Sequence, residues 1–172
     1  MTSACTATRC KALWGLLLGA LLLPCSAQAL QKEFSLGAGT SLNSLQSTQL
    51  MVVVAVQKPF REFLLRAEAS LEAVQAPGDT LGVLGGALLL RLPLGAKGPF
   101  LELGGGLNLA SSDALGDRDL GGPFFLSFIA STGYGRGPWA LAVRYRHLSN
   151  AWLYEENPGL DSLYLMLFKV FK

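Results

Sequence analysis

The chain has 172 residues, of which 51% are hydrophobic and 15% charged, with 14 Lys and Arg against 12 Asp and Glu. A soluble domain usually carries about 25% charged residues, so this chain is apolar for its class. A net charge of +2 with no basic cluster excludes a nucleic-acid partner on electrostatic grounds, and the length is that of one domain.

Residues 1–29 read as a secretory signal peptide. Arg9 and Lys11 form the positive n-region, Ala12 to Leu23 the apolar h-region, and Ala27-Gln28-Ala29 an A-x-A cleavage site, leaving a mature domain of residues 30–172. The apolar run falls short of the about 20 residues that a spanning helix needs. Pro24 argues against a lipid-modified Cys25. Cys5, Cys10 and Cys25 all lie in the leader, so the mature part has no disulfide framework, no cysteine metal site and no thiol nucleophile. The leader also takes Arg9 and Lys11 with it, leaving 12 basic and 12 acidic residues. The mature part contains no run long enough for a membrane helix. An exported, apolar chain without such a helix has one remaining membrane solution, the closed β-barrel.

Eight strand-like segments follow, at roughly Lys32–Thr40, Gln49–Gln57, Glu62–Ala73, Thr80–Leu92, Pro99–Leu109, Pro123–Tyr134, Trp139–Ser149 and Leu160–Phe171. Each is near the length of 9–11 residues that a tilted membrane strand needs. The connections after segments two, four and six are short (58–61, 93–98, 135–138). Those after one, three, five and seven are longer or more polar (41–48, 74–79, 110–122, 150–159). Short turns alternating with longer loops predict an eight-stranded antiparallel outer-membrane β-barrel with both termini on the same side.

Side-chain alternation fits this. In segment three Phe63, Leu65, Ala67 and Ala69 share one face, while Glu62, Arg66, Glu68 and Glu72 occupy or border the other. In segment seven Trp139, Leu141, Val143 and Tyr145 oppose Arg144 and Arg146. Arginines on the lipid face are costly, so these point into the lumen and are expected to pair with Glu62, Glu68, Glu72 and Glu102. A soluble sandwich or lipocalin-like barrel also alternates. However, segments four and eight are apolar on both faces, and Leu88-Leu89-Leu90 would be hard to solvate.

The chemistry-bearing residues cluster late. His147, the only histidine, is followed by Ser149 and Asn150, and then by Asn157 and Asp161. Residues i and i+2 of a strand share a face, so His147 and Ser149 join the lipid-facing side of segment seven at its outer end. Asp161 starts segment eight at the same level. It approaches His147 if it points outward with Leu163, Leu165 and Leu167; a segment apolar on both faces leaves that open. Such a trio is suited to acyl transfer to water, with His147 activating Ser149 and a carboxylate fixing the imidazole tautomer. Asn150 and Asn157 are candidate donors to an oxyanion. One histidine and no mature cysteine supply no zinc set, and no cofactor is required. The bland alternative is that Ser-Asn and Asn-Pro-Gly are turn formers and the histidine an interfacial polar residue.

The pattern His147-x-Ser149-Asn150-Ala151 followed by Asn157-x-Gly159-x-Asp161 resembles the C-terminal motif of the lipid A 3-O-deacylases, the PagL family. The motif covers about the last 25 residues. The resemblance implies a bacterial outer-membrane serine esterase with lipid A, or lipopolysaccharide, as substrate. It would hydrolyse the ester-linked 3-hydroxyacyl chain at position 3. The same resemblance implies His147 as base, Ser149 as nucleophile, Asp161 as orienting acid and Asn157 as the oxyanion-hole asparagine. Two positions depart from the family pattern: Asp161 replaces a glutamate, which leaves Glu155 and Glu156 as rival acids, and Trp152 replaces a glycine. The other readings are a non-catalytic surface barrel and an acyltransferase using the same groups. A lipid-exposed site on a small barrel is also compatible with a homodimer.

Overall fold

The computed structural model of the protein describes residues 30–43, 46–95 and 98–171; the expected signal peptide lies outside them. Eight long strands close into one antiparallel barrel: β1 Gln31–Ser41, β2 Thr48–Phe60, β3 Phe63–Ala76, β4 Asp79–Pro93, β5 Pro99–Ala110, β8 Phe124–Arg136, β9 Trp139–Ser149 and β10 Leu160–Phe171. Two short strands, β6 Ala114–Leu115 and β7 Arg118–Asp119, form a separate hairpin inside the β5–β8 connection. The barrel is shut by β1, which pairs with both β2 and β10. Closure leaves no sheet edge with unpaired backbone groups, the condition for a strand protein to cross lipid.

The fold is therefore the predicted one, with three local corrections. The β2–β3 ladder runs on to a two-residue turn, Arg61-Glu62, because Arg61 adopts a left-handed conformation (φ 57°). The loop expected at 74–79 is also a tight turn, Pro77-Gly78, with Gly78 at φ 79°. Glycine takes that conformation without steric cost. The β6–β7 hairpin has no counterpart in the predicted segments, since two-residue strands leave no measurable period.

Burial alternates along most strands, as in Thr48–Phe60, where Gln49, Met51, Val53, Ala55 and Gln57 point inward and are buried. The outward residues form an apolar band that includes Leu50, Val54, Leu71, Leu103, Leu141 and Leu165. Near the short-turn end, exposed Phe60, Phe63, Tyr134, Trp139 and Phe171 supply the aromatic girdle of a membrane barrel.

The interior is polar at mid-height and apolar at the loop end. Glu33, Glu68, Glu72 and Glu102 are buried with Arg66, Arg91, Arg144 and Arg146. The four charges of each sign cancel. Arg144 bridges Glu68 (3.1 Å) and Glu102 (2.9 Å), Arg91 bridges Glu33 (3.0 Å) and Glu102 (2.9 Å), and Arg146 meets Glu72. Phe168 lies beneath the guanidinium groups of Arg66, Arg91 and Arg144 at 5.3–6.0 Å. The expectation for Glu62 fails: it sits in the exposed β2–β3 turn, outside the lumen. Above this network Leu115 and Leu120 of the β5–β8 connection pack on Val74, Leu81, Leu148 and Leu160 and plug the loop end.

Candidate active site

The register of the last two strands assembles the site. β9 and β10 pair so that Leu148 faces Leu160 and His147 faces Asp161. Leu148 and Leu160 are buried in the apolar plug. Strand alternation then forces their neighbours, His147 and Asp161, onto the outward face. Asp161 thus shares that face with Leu163, Leu165 and Leu167, whereas Ser162, Tyr164 and Met166 are buried.

His147 Nδ1 lies 2.8 Å from Asp161 Oδ1, and their side chains are 38% and 33% exposed. The pair is neither sealed in the interior nor fully in water. An ionised carboxylate only accepts, so the bond requires a proton on Nδ1, and in the neutral ring Nε2 then keeps its lone pair. Glu155 and Glu156 are exposed in the connecting loop, and Asp161 is the acid on the imidazole.

Ser149 follows on the same face, about 7 Å along the strand from His147, and is half-buried. Among the described residues no hydrogen bond joins its Oγ to the imidazole. A catalytic contact of this kind is often long without substrate.

The two asparagines part company. Asn150 is fully buried, and its amide is spent on structure. Nδ2 donates to Leu120 O (3.2 Å) and Glu156 O (2.5 Å), while Oδ1 accepts from Trp152 N (3.0 Å). Both hydrogens of its side-chain NH2 are therefore engaged within the loops. Asn157 Oδ1 accepts from Asn150 N at 3.0 Å. That bond orients the amide and leaves its NH2 group to donate elsewhere.

The loop between β9 and β10 turns sharply after the serine. Ala151 and Trp152 both take left-handed conformations, at φ 51° and 61°. A bulky residue there is an outlier that the surroundings must hold. Here the Asn150 side chain and the Leu153 N to Asn150 O bond (3.0 Å) hold it. Trp152 projects outward, 76% exposed. Two glycines make room for this arrangement. A Cβ on Gly121 would lie 2.1 Å from Glu156 O, and one on Gly159 would crowd His147 Cε1 at 3.2 Å. Both have positive φ, at 82° and 63°.

Sequence reasoning missed two residues. Tyr145 donates its hydroxyl to Asp161 Oδ1 at 2.5 Å, and Asn43 Oδ1 accepts from Asp161 N at 2.8 Å. Tyr145 was legible as an outward residue two before His147, but its diagonal contact depends on register. Asn43 is 118 positions away from its partner and carries no signal in the sequence.

This fold is that of an outer-membrane β-barrel. Residues 55–169 match the family model described as lipid A 3-O-deacylase (PagL), and the chain belongs to that family. Among solved structures it is similar to a crystal structure of the outer membrane enzyme PagL, at 19% identity and TM-score 0.72, covering 80% of this chain and 98% of the other. A de novo designed transmembrane β-barrel aligns at 12% identity and TM-score 0.54, over 82% of this chain and 95% of that one. The Yersinia pestis outer membrane protein Ail in a phospholipid nanodisc aligns at 10% identity and TM-score 0.54, over 83% and 100%. A comparison with curated protein sequences gives no match.

Proposed function

We propose that the protein is a serine esterase of the outer membrane that removes the ester-linked 3-hydroxyacyl chain at position 3 of lipid A. The observation that carries this reading is the His147–Asp161 pair on the lipid-facing surface, with Ser149 on the same face. Polar groups on that surface have no packing role to play. Access to an ester in the surrounding leaflet gives them one.

Ser149 is the nucleophile. Its Oγ turns about χ1 to meet His147 Nε2, which takes the proton as Oγ attacks the ester carbonyl. Asp161 keeps the other ring nitrogen protonated and stabilises the imidazolium. The oxyanion is met by the NH2 group of Asn157, whose orientation is preset by its bond from Asn150 N. The imidazolium returns the proton to the departing sugar oxygen. Water then attacks the acyl-enzyme, again with His147 as base, releasing the 3-hydroxy fatty acid. Residues 1–29 act as the leader that exports the barrel.

The test is expression in an outer membrane with hexa-acylated lipid A, followed by mass spectrometry. The wild-type chain removes one 3-hydroxyacyl group and Ser149→Ala does not. A folded wild-type barrel that leaves lipid A intact would refute the esterase. Equal activity in Ser149→Ala would refute the nucleophile. Appearance of the acyl group on another lipid, rather than as free fatty acid, would mark a transferase.

A further inference from the structure

We propose that Tyr145 is a positioning residue: its hydroxyl locks the short Asp161 carboxylate against His147, and the aspartate works in this site because the tyrosine is there. The proposal rests on the esterase reading above.

Tyr145 lies on the outward face of β9, two residues before His147 and nearer the middle of the barrel. It pairs with Leu163 of β10, as His147 pairs with Asp161, so Tyr145 is diagonal to Asp161. Diagonal neighbours on one face are about 7–8 Å apart, within reach of an aromatic side chain. The phenol closes that gap and donates to Asp161 Oδ1 at 2.5 Å, the same oxygen that meets His147 Nδ1 at 2.8 Å. Two donors converge on one carboxylate oxygen. Rotation of the carboxylate would break both bonds, so the tyrosine penalises the motion that would release the histidine.

The tyrosine is itself held. Its ring packs against Phe128 at 6.4 Å between centroids, tilted by 59°, and Phe128 is the β8 partner of His147. The backbone of Asp161 is tied on both sides to the β1–β2 loop, with its N–H donating to Asn43 Oδ1 (2.8 Å) and its carbonyl accepting from Leu42 N (2.8 Å). Backbone and carboxylate are therefore restrained from separate directions. A carboxylate beside lipid also needs donors, because an unpaired charged oxygen is costly away from water. A tyrosine, with an ordinary pKa of about 10, supplies an O–H across the neutral range.

The experiment uses the full barrel folded in detergent, with purified hexa-acylated lipid A as substrate and released 3-hydroxy fatty acid as readout. Each variant is first shown to fold by heat-modifiable gel migration. Loss of a hydrogen bond to a charged group is expected to lower kcat in Tyr145→Phe by about 10- to 100-fold, with KM nearly unchanged. In an Asp161→Asn background, Tyr145→Phe should change kcat by less than about twofold, since residues acting through one another are not additive. Equal losses in both backgrounds, a change confined to KM, or no loss would each overturn the proposal. The single histidine provides a readout independent of turnover. In 15N NMR of the untagged protein, the Nδ1–H signal of His147 is expected to be hydrogen-bonded in the wild type and exchange-broadened in Tyr145→Phe. An unchanged signal would overturn the positioning role even if activity fell. A folded wild type that releases no fatty acid would instead sink the esterase reading.

Discussion

At the scale of single residues, the site depends on which of two chemically similar groups has its partners already taken. Asp161 is hydrogen-bonded to His147, while Glu155 and Glu156 are exposed in the loop. Asp161→Asn should therefore lower kcat by about three to four orders of magnitude, as loss of the orienting acid does in other triads, and Glu156→Gln should leave it unchanged. Lipid A turnover by the two variants checks this. The asparagines divide in the same way. Asn157→Ala should cost about 10²–10³ in kcat with the fold intact, the usual cost of losing one oxyanion donor. Asn150→Ala should instead disorganise the loop, because its amide holds Leu120, Glu156 and Trp152 together. Protease susceptibility of the 150–159 segment separates the two. The outward direction of His147 and Ser149 was legible from spacing alone. That of Asp161 was not, because its strand carries Leu163, Leu165 and Leu167 on one face and Leu160, Tyr164, Met166 and Phe168 on the other.

At the scale of elements, the β5–β8 connection does more than join two strands. Its Leu115 and Leu120 plug the barrel, Leu120 O accepts from Asn150, and Arg118 donates to Pro158 O at 3.0 Å. The connection is thereby a scaffold for the β9–β10 loop, and Gly121 is a point where the two leave no room for a side chain. Gly121→Ala would place a methyl group against Glu156 O and Asn150 Nδ2. The expected outcome is a folded barrel with the 150–157 segment displaced and lipid A hydrolysis reduced at least about tenfold, since small misplacements of catalytic groups are expensive. Migration on gels with and without heating, set beside turnover, tests this. The eight long strands were readable because most repeat a two-residue period and turn residues bound them all. The hairpin was not, and the tight Pro77-Gly78 turn was read as a longer loop because the short run Val74-Gln75-Ala76 does not by itself show that β3 continues.

At the scale of the whole molecule, the barrel encloses a charged core of zero net charge. Removing one partner of a buried pair strands the other, at a cost of about 3–5 kcal/mol. Arg144→Met removes one of the cations at Glu68 and Glu102, leaves Arg66 and Arg91 as their remaining partners and gives the core a net negative charge, so it should destabilise the barrel by up to that amount. Glu62→Gln, in the exposed turn, should change stability by less than about 0.5 kcal/mol. Urea unfolding in micelles, followed by tryptophan fluorescence, would check both. Arg144 and Arg146 were visible as lumenal from their alternation with Leu141, Val143 and Tyr145. The acids of the core were only partly visible. Glu68, Glu72 and Glu102 pair as expected, Glu33 enters unforeseen from β1, and Glu62 drops out because it falls in the two-residue turn beyond the Phe60–Phe63 pair.

Composition and patterning establish the class of the molecule. Apolar composition without a helical span leaves the closed barrel, and period-two patterning fixes the direction of most side chains, including His147 and Ser149. What those side chains meet follows from strand pairing and loop packing. Whether Asp161 reaches the imidazole, whether Asn150 or Asn157 has a donor to spare, and which tyrosine supports the acid all depend on the register between β9 and β10 and on loops 30 to 120 residues apart. A strand's own pattern states which way a side chain points; what stands opposite it is set by the neighbouring strand.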